Sequence, residues 1–462
     1  MSKPKEYSLM TKDRLMAYTF VALAILAVVT AVIWWPITQN GWSLGLTLLI
    51  NCAIAVLTSV VLDALLAVVM KEKGPINTLS ASVFGMIVAL SYSLGMPAMA
   101  MTEVLPLVAP EAFAYVAIIS SVGLIIFKKL QGLLGRKYVN PAAAAKLIVF
   151  LPLLHTVLIP SDHISYIPTL AAPLNYDGLT SFASYVQSCF ANPSLLMEGS
   201  INLPPSPSDV FWTLLVNKYH GWPGGASSIA VIIIGLCLFI VARRYIKWRI
   251  TLSYLVATAV MSLIMTGVYG GDAVLRLAFH LFLGSSIFLA FFMATDPATT
   301  PLTHRGQLIF GVGLAVLTVL IQLIFGVGLA VLTVLIQTYM NFLGGSILAL
   351  VIMNLASPML DKIGLPQPTE TKVEKKLPKA KTFEAVKAYP CMRCGVCITA
   401  CSQNLSPILI KEAYDRNNIE AVKALRADLC NGCGNCTFVC PARIDVRNSI
   451  LRAKGALRAV KS

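Results

Sequence analysis

From Gln307 to Gln337 the chain carries no charged residue, and within that run LIFGVGLAVLTVLIQ occurs twice, at 308–322 and 323–337. Hydrocarbon offers backbone amides no water, so an apolar run of this length reads as a transmembrane helix. The same ruler, about 20 apolar residues for a core of ~30 Å, picks out 17–38, 44–70, 79–100, 112–127, 142–160, 226–242, 251–268, 274–294 and 343–360. Composition agrees: 12% of residues are charged, against ~25% in soluble domains. The first span is too long for a signal-peptide core and lacks a small-residue cleavage site.

The net charge of +15 follows topology rather than a nucleic-acid footprint. Lys3, Lys5, Lys12 and Arg14, then Lys71 and Lys73, then Lys128, Lys129, Arg136 and Lys137, then Arg243, Arg244, Lys247 and Arg249, and finally Arg305 fall in alternate loops. The segment 161–225 carries Lys218 alone. The positive-inside rule puts the basic loops, the N-terminus and everything after residue 361 in the cytoplasm. Trp34, Trp35, Trp42, Trp212 and Trp222 fall at the opposite ends, as interfacial aromatics. Two crossings over 307–337 would place the Lys-rich segment after Asp361 outside, and each copy alone would span only about 22 Å. One overlong crossing of about 46 Å, tilted, protruding or bent at Gly326 and Gly328, is the expectation. A tandem duplication that the fold tolerates is the alternative.

The sequence thus predicts an all-α polytopic protein of the inner (cytoplasmic) membrane, with about ten transmembrane helices and both termini cytoplasmic. A five-plus-five division has the parity of two inverted halves, faintly echoed between SVFGMIVALSYSLGMPA (82–98) and SSIFLAFFMATDPA (285–298). The expected domains are a membrane part over 1–362 with an outer segment 161–225, a Lys/Pro-rich linker 363–384, and a cytoplasmic module 385–462.

Eight of the 11 cysteines lie in that module. Cys391, Cys394, Cys397 and Cys401 form one C-x2-C-x2-C-x3-C run, and Cys430, Cys433, Cys436 and Cys440 a second, followed by Pro441. This is the two-cluster [4Fe–4S] ferredoxin pattern, in which the fourth cysteine of each run serves the other cluster. Cys391, Cys394, Cys397 and Cys440 are thus assigned to one cluster, and Cys430, Cys433, Cys436 and Cys401 to the other. Zinc is crowded by three thiolates at this spacing, and disulfides are disfavoured in a reducing cytoplasm. Ser402 stands where such a motif often has proline. Between the runs, Ile410, Ala413 and Tyr414, then Ile419, Val422 and Leu425, predict two short amphipathic helices. Cys52 and Cys237 read as packing residues inside spans, and Cys189 as a lone thiol.

Ionisable groups inside spans are functional candidates by default. Asp63 sits two-thirds through an apolar helix and is the candidate for an ion pathway, beside a structural reading as a hydrogen-bonded acid. Lys146 is expected to snorkel to the cytoplasmic face. Asp272 and Arg276 read as an i,i+4 pair. His155 and His280 are a pair of histidines that a b-type haem would require.

GRKYVNPAAAAKLIVF (135–150) and FFMATDPATTPLTHRGQLIFGVGLAVLTVLIQ (291–322) resemble the D subunit of the Rnf ion-translocating electron-transport complex. They are more distantly similar to the B subunit of the sodium-translocating NADH:quinone reductase. The resemblance covers roughly 15–362, and the module resembles the iron–sulfur part of the Rnf C subunit, so the chain looks like a fusion. The family shows one copy of the repeated stretch. It implies an FMN esterified through its phosphate to an outer hydroxyl, within a motif of the form Asp-x-x-Ser/Thr-Gly/Ala-Ala-Thr/Ser. DGLTSFAS (177–184) departs from it by the extra Phe182, leaving Ser184 as first acceptor and Thr180 as second. Asn140 lies in a stretch resembling the family's Asn-Pro-Ala-Ala loop. Asp296 and Thr300 lie in one resembling its Asp-Pro-x-Thr-x-Pro loop. Both loops line the interior in that family, which makes these three residues cofactor-site candidates.

The function this implies is that of a membrane subunit, incomplete alone, of a Rnf-like translocase. It would pass electrons between ferredoxin-type clusters and a membrane FMN, coupled to Na⁺ or H⁺. Its expected partners are other subunits of the complex, a soluble ferredoxin or dehydrogenase, and membrane lipid, with no nucleic acid. A channel with a redox-sensing tail, which needs no flavin, and a non-pumping anchor for a soluble oxidoreductase are the alternatives.

Overall fold

The computed structural model describes residues 7–39, 41–71, 78–92, 94, 109–131, 137–149, 211–212, 214–216, 222–269, 273–282, 286–323, 346–370 and 388–459. The apolar part is built from α1 (Lys12–Trp34), a short hairpin pairing β1 (Thr38–Gln39) with β2 (Trp42–Ser43), α2 (Leu44–Val69) and α3 (Thr78–Leu90). Next come α4 (Glu111–Val122, continuing as the π-helical Gly123–Leu130), α5 (Pro141–Val149), α6 (Ser228–Val241), α7 (Trp248–Tyr269) and α8 (Ala273–Phe282). The set closes with α9 (Ser286–Phe288, continuing as the π-helical Leu289–Met293), α10 (His304–Leu323) and α11 (Ser346–Leu360). The module holds α12 (Val396–Thr399), α13 (Pro407–Asp415), α14 (Ile419–Ala424), α15 (Asn435–Phe438) and α16 (Val446–Ala459).

Lys12–Trp34, Leu44–Val69, Glu111–Leu130 and Trp248–Val268 are long and apolar enough to cross a membrane, and shorter apolar helices accompany them. Their two faces show why. On α1, Val21, Ile25, Val28 and Val32 form an exposed apolar stripe at helical spacing, whereas Leu23, Leu26, Thr30 and Trp34 are buried. Apolar residues on both faces fit lipid outside and helix packing inside. Small residues set the inner distances: a Cβ on Gly85 of α3 would lie 2.6 Å from the Ala55 carbonyl of α2. A Cβ on Gly311 of α10 would lie 2.6 Å from the Ile250 carbonyl of α7.

The interior corrects three expectations. Trp34 and Trp222 are buried rather than interfacial, Trp222 meeting Phe288 edge-on at 6.4 Å. Lys146 does not snorkel: on α5, which is enclosed by the other helices, its side chain is fully buried. Its ammonium donates to the Ser91 carbonyl and lies 4.1 Å from the Trp222 ring centroid. A carbonyl and an aromatic face supply what water would have given. Beyond its first residue, Leu323, the second copy of the repeat, with Gly326 and Gly328, lies outside the described residues.

Candidate functional site

Both cysteine runs fold alike. A left-handed residue precedes the second cysteine, Arg393 at φ +52° in one run and Gly432 at φ +71° in the other. A left-handed glycine follows it, Gly395 at +77° and Gly434 at +83°, each starting a one-turn helix. These turns fold each run back on itself, leaving Cys391 and Cys433 exposed and Cys401, Cys436 and Cys440 buried. The thiols then sort across the runs, not within them. Cys401, Cys430, Cys433 and Cys436 line one small cavity and are one another's electrostatic neighbours. Cys440 instead acts on Cys391, Cys394 and Cys397. Cys397 also feels Cys436, so the two groups adjoin.

Burial pushes the Cys391 thiol up to about 11 and Cys394 up to about 12, with neighbouring thiols adding to the rise. Backbone amides oppose it. Arg393 donates to the Cys391 sulfur at 3.4 Å and Leu405 to Cys401 at 3.3 Å, while Ala442, Arg443 and Ile444 serve Cys440. Amide donors around buried sulfurs are the surroundings of iron-bound thiolates, whose charge iron must offset. Among the described residues no three His, Cys, Asp or Glu side chains close on a point that suits a single ion. Beneath the thiols, Ile410, Ala413 and Val422 pack on Val446, Ile450, Ala453 and Leu457 of α16, where the two short helices were expected.

The module sits on one end of the apolar helices. Met392, Val396, Ala400 and Val439 pack against Leu15, Ala242 and Tyr245. Leu302 meets Ile398 and Ile408. The chain start is tied down by amides, Ser8 donating to the Phe438 carbonyl and Lys12 to that of Pro441, both at 2.8 Å. Arg393, four percent exposed, bridges Asp361 at 2.8 Å and Glu412. The other oxygen of Asp361 accepts the Leu302 amide at 2.8 Å. Arg393 and Asp361 were not foreseen, because what marks them is each other.

The sequence profile described as the NQR2, RnfD, RnfE family matches residues 8–324. The chain belongs to that family. A 4Fe-4S dicluster domain profile matches residues 390–444. The chain is 28% identical over 328 residues to the D subunit of the Na(+)-translocating ferredoxin:NAD(+) oxidoreductase complex of Acetobacterium woodii, covering 70% of this chain and 82% of that one. It is 26% identical over 324 residues to the D subunit of the ion-translocating oxidoreductase complex of Ectopseudomonas mendocina, covering 69% and 83%. It is 26% identical to the D subunit of the proton-translocating ferredoxin:NAD(+) oxidoreductase complex of Clostridium ljungdahlii, covering 54% and 67%. This is a membrane protein of the RnfD type carrying two [4Fe–4S] sites.

Between the RnfD-family part and the module lies a cavity of about 560 Å³. Its walls bring together Asn140, Asp296, Asp63, Cys391 and Arg393, with Lys12, Lys128, Lys129 and Lys137. Both π-helical stretches reach it, one through Lys128 and Lys129 and the other through Phe291 and Phe292. Such irregularities recur at functional sites. Asp63 lies 3.3 Å from the Lys129 ammonium, as a buried ion pair on the basic side.

The loop candidates have local duties as well. The Asn140 side chain accepts the Ala142 and Ala143 amides at 3.1 and 3.2 Å, capping α5, and donates to the Met293 carbonyl at 3.3 Å. Asp296 accepts the Ala298 amide and the Thr299 hydroxyl, each at 3.2 Å. Thr300 donates to the Asp296 carbonyl at 2.6 Å and faces Lys247, not the cavity. The Lys247 ammonium also donates to the Pro297 and Thr300 carbonyls, both at 2.8 Å. Burial pushes that ammonium down to about 7, with Asp361 pulling it back. His280 is buried. Ser184, Thr180, His155, Asp272 and the Arg276 side chain lie outside the described residues.

Proposed function

We propose that the chain is the membrane subunit of a Rnf-like translocase, with its own two-cluster module seated on the cytoplasmic end. In this reading it spans the inner membrane with about ten helices in two inverted halves, over 1–362. The linker 363–384 leads to the module, 385–462. Electrons pass between the module and a flavin of the membrane part, coupled to Na⁺ or H⁺ movement in a complex with other subunits. The observation that carries this is Cys391 in the wall of the cavity that also holds Asn140 and Asp296. A cluster ligand there brings the cytoplasmic redox centre against the membrane helices, and carriers of partner subunits bridge the ~30 Å core to a flavin on the outer segment.

The lysines of that cavity suit an anionic redox group, since cations stabilise the charge that reduction adds. Asp63, paired with Lys129, is the acid through which an arriving cation would be felt. The covalent FMN belongs to the outer segment, with Ser184 as first acceptor and Thr180 as second. The test combines two assays on the full chain. Iron should approach about eight per chain, by cluster stoichiometry, and denatured protein should keep flavin fluorescence that Ser184→Ala abolishes. Zinc in place of iron, or a colourless protein from a host that flavinylates related subunits, would overturn the corresponding half.

A further inference from the structure

The two cysteine sites face opposite ways. The site of Cys391, Cys394, Cys397 and Cys440 faces the membrane part. Cys391 borders the 560 Å³ cavity, and Cys394 borders a cleft shared with Arg243, Lys247 and Arg249. The cavity of Cys401, Cys430, Cys433 and Cys436 is lined by module residues alone. Cys433 is exposed beside the exposed Asn431, whereas Cys391, also exposed, opens onto the cavity shared with the membrane part.

One helix runs past that opening. In α16, Arg447, Lys454 and Arg458 stand at i, i+7 and i+11 and so share a flank. That flank is fixed against the cysteine loop. Arg447 Nε donates to the Gly432 carbonyl at 2.6 Å and Lys454 Nζ to that of Cys430 at 2.8 Å. Arg458 extends the row and is exposed. No acidic residue occurs in α16. Asp428, the acid just before the loop, is paired with Arg426 at 3.4 Å. Arg452 projects from the opposite flank, about 120° round from Arg458 by helical geometry.

We propose that the Cys433 face is an electron port on which an acidic soluble iron–sulfur protein docks, its carboxylates meeting Arg447, Lys454 and Arg458. The proposal rests on the redox reading above and adds the surface and the partner's chemistry. One electron leaves the reduced carrier, which is thereby oxidised, and is taken up at the Cys433 site. No bond is made or broken and no proton moves. Adjacency of Cys436 and Cys397 then gives a short path to the membrane-facing site. The reverse flow uses the same surface.

The full chain, purified with its clusters, is titrated with a small acidic two-cluster ferredoxin at low and high salt. Opposite charges across an interface chiefly set approach and register, and weaken with salt. Arg458→Glu should weaken binding about tenfold at low salt and flatten its salt dependence. Arg458→Lys should bind as wild type, and Arg452→Glu should change little. Equal loss in Arg458→Glu and Arg452→Glu, or binding indifferent to salt, overturns the port. So does absence of binding by wild-type protein whose two cluster signals appear with dithionite. A water-soluble dysprosium complex should broaden the Cys433-site signal more than the other, and the reverse order also overturns it. Absence of both cluster signals after dithionite instead overturns the redox reading itself.

Discussion

The two cysteine runs share a spacing and a fold, yet corresponding positions carry different chemistry. Where the second run has Gly432, the first has Arg393, held at φ +52° where a glycine would be unstrained. Where the second has Asn431 and Asn435, the first has Met392 and Val396, buried against Leu15, Ala242 and Tyr245. Where the second has Pro441, whose carbonyl holds the Lys12 amide, the first has Ser402, whose hydroxyl lies 3.3 Å from Cys433. The first run docks through Met392 and Val396, whereas the second docks through its end, Phe438 to Pro441, and leaves Asn431 and Cys433 exposed. Ligation dictates what the two have in common, and the neighbour dictates what differs.

Cys440→Ala offers the largest test of that division. Because Cys440 belongs with Cys391, Cys394 and Cys397, the variant should lose the membrane-facing site and keep the water-facing one, leaving about half the iron. Iron analysis with dysprosium broadening reads which signal survives. Loss of the exposed signal instead would mean that each run keeps its own four thiols.

Next in size is Arg393→Gly. Relief of left-handed strain returns on the order of 1 kcal/mol. Leaving Asp361 buried without its partner costs about 3–5 kcal/mol. The net expectation is a loss of roughly 2–4 kcal/mol by that difference, read as earlier thermal bleaching of the cluster absorbance. Gly432→Ala, the mirror change, meets only the strain and should cost about 1 kcal/mol. If Gly432→Ala proves the worse of the two, Arg393 does not anchor the module.

Smaller still is Ser402→Ala. A hydroxyl beside a ligating sulfur favours the reduced, more negative cluster. Its removal should lower the midpoint potential of the Cys433 site by roughly 40 mV, the equivalent of about 1 kcal/mol for one net hydrogen bond. Iron content and the partner site's potential should not move in an EPR-monitored titration. The smallest effect belongs to Tyr389→Phe, which removes the hydroxyl donated to Asp13. It should cost about 1 kcal/mol or less in the same thermal assay, and a larger loss would make the chain start, not Arg393, the principal tether.

Much of this was legible in the residues. Apolar runs must become helices because hydrocarbon leaves backbone amides no other partner, and α1, α2, α4 and α7 follow. The cysteine spacing alone implied an exchange of fourth ligands, a reading that Cys401 beside Cys430, Cys433 and Cys436 supports, and helical periodicity located α13 and α14. Asn140 and Asp296 were singled out by resemblance and do meet at one cavity, although Thr300 turns away to Lys247.

What the sequence left undecided was every question of who faces whom. Lys146 looks like a residue near a membrane surface, and only the enclosure of α5 puts its ammonium on the Trp222 ring. Asp63 looks like a lone acid in lipid, and only the approach of α4 supplies Lys129. Spacing and hydropathy are properties of one segment, so they fix helices, turns and ligand sets before any packing occurs. Charge partners, cavities and the direction each cluster site faces join segments tens to hundreds of residues apart, and those distances exist only once the chain has closed on itself.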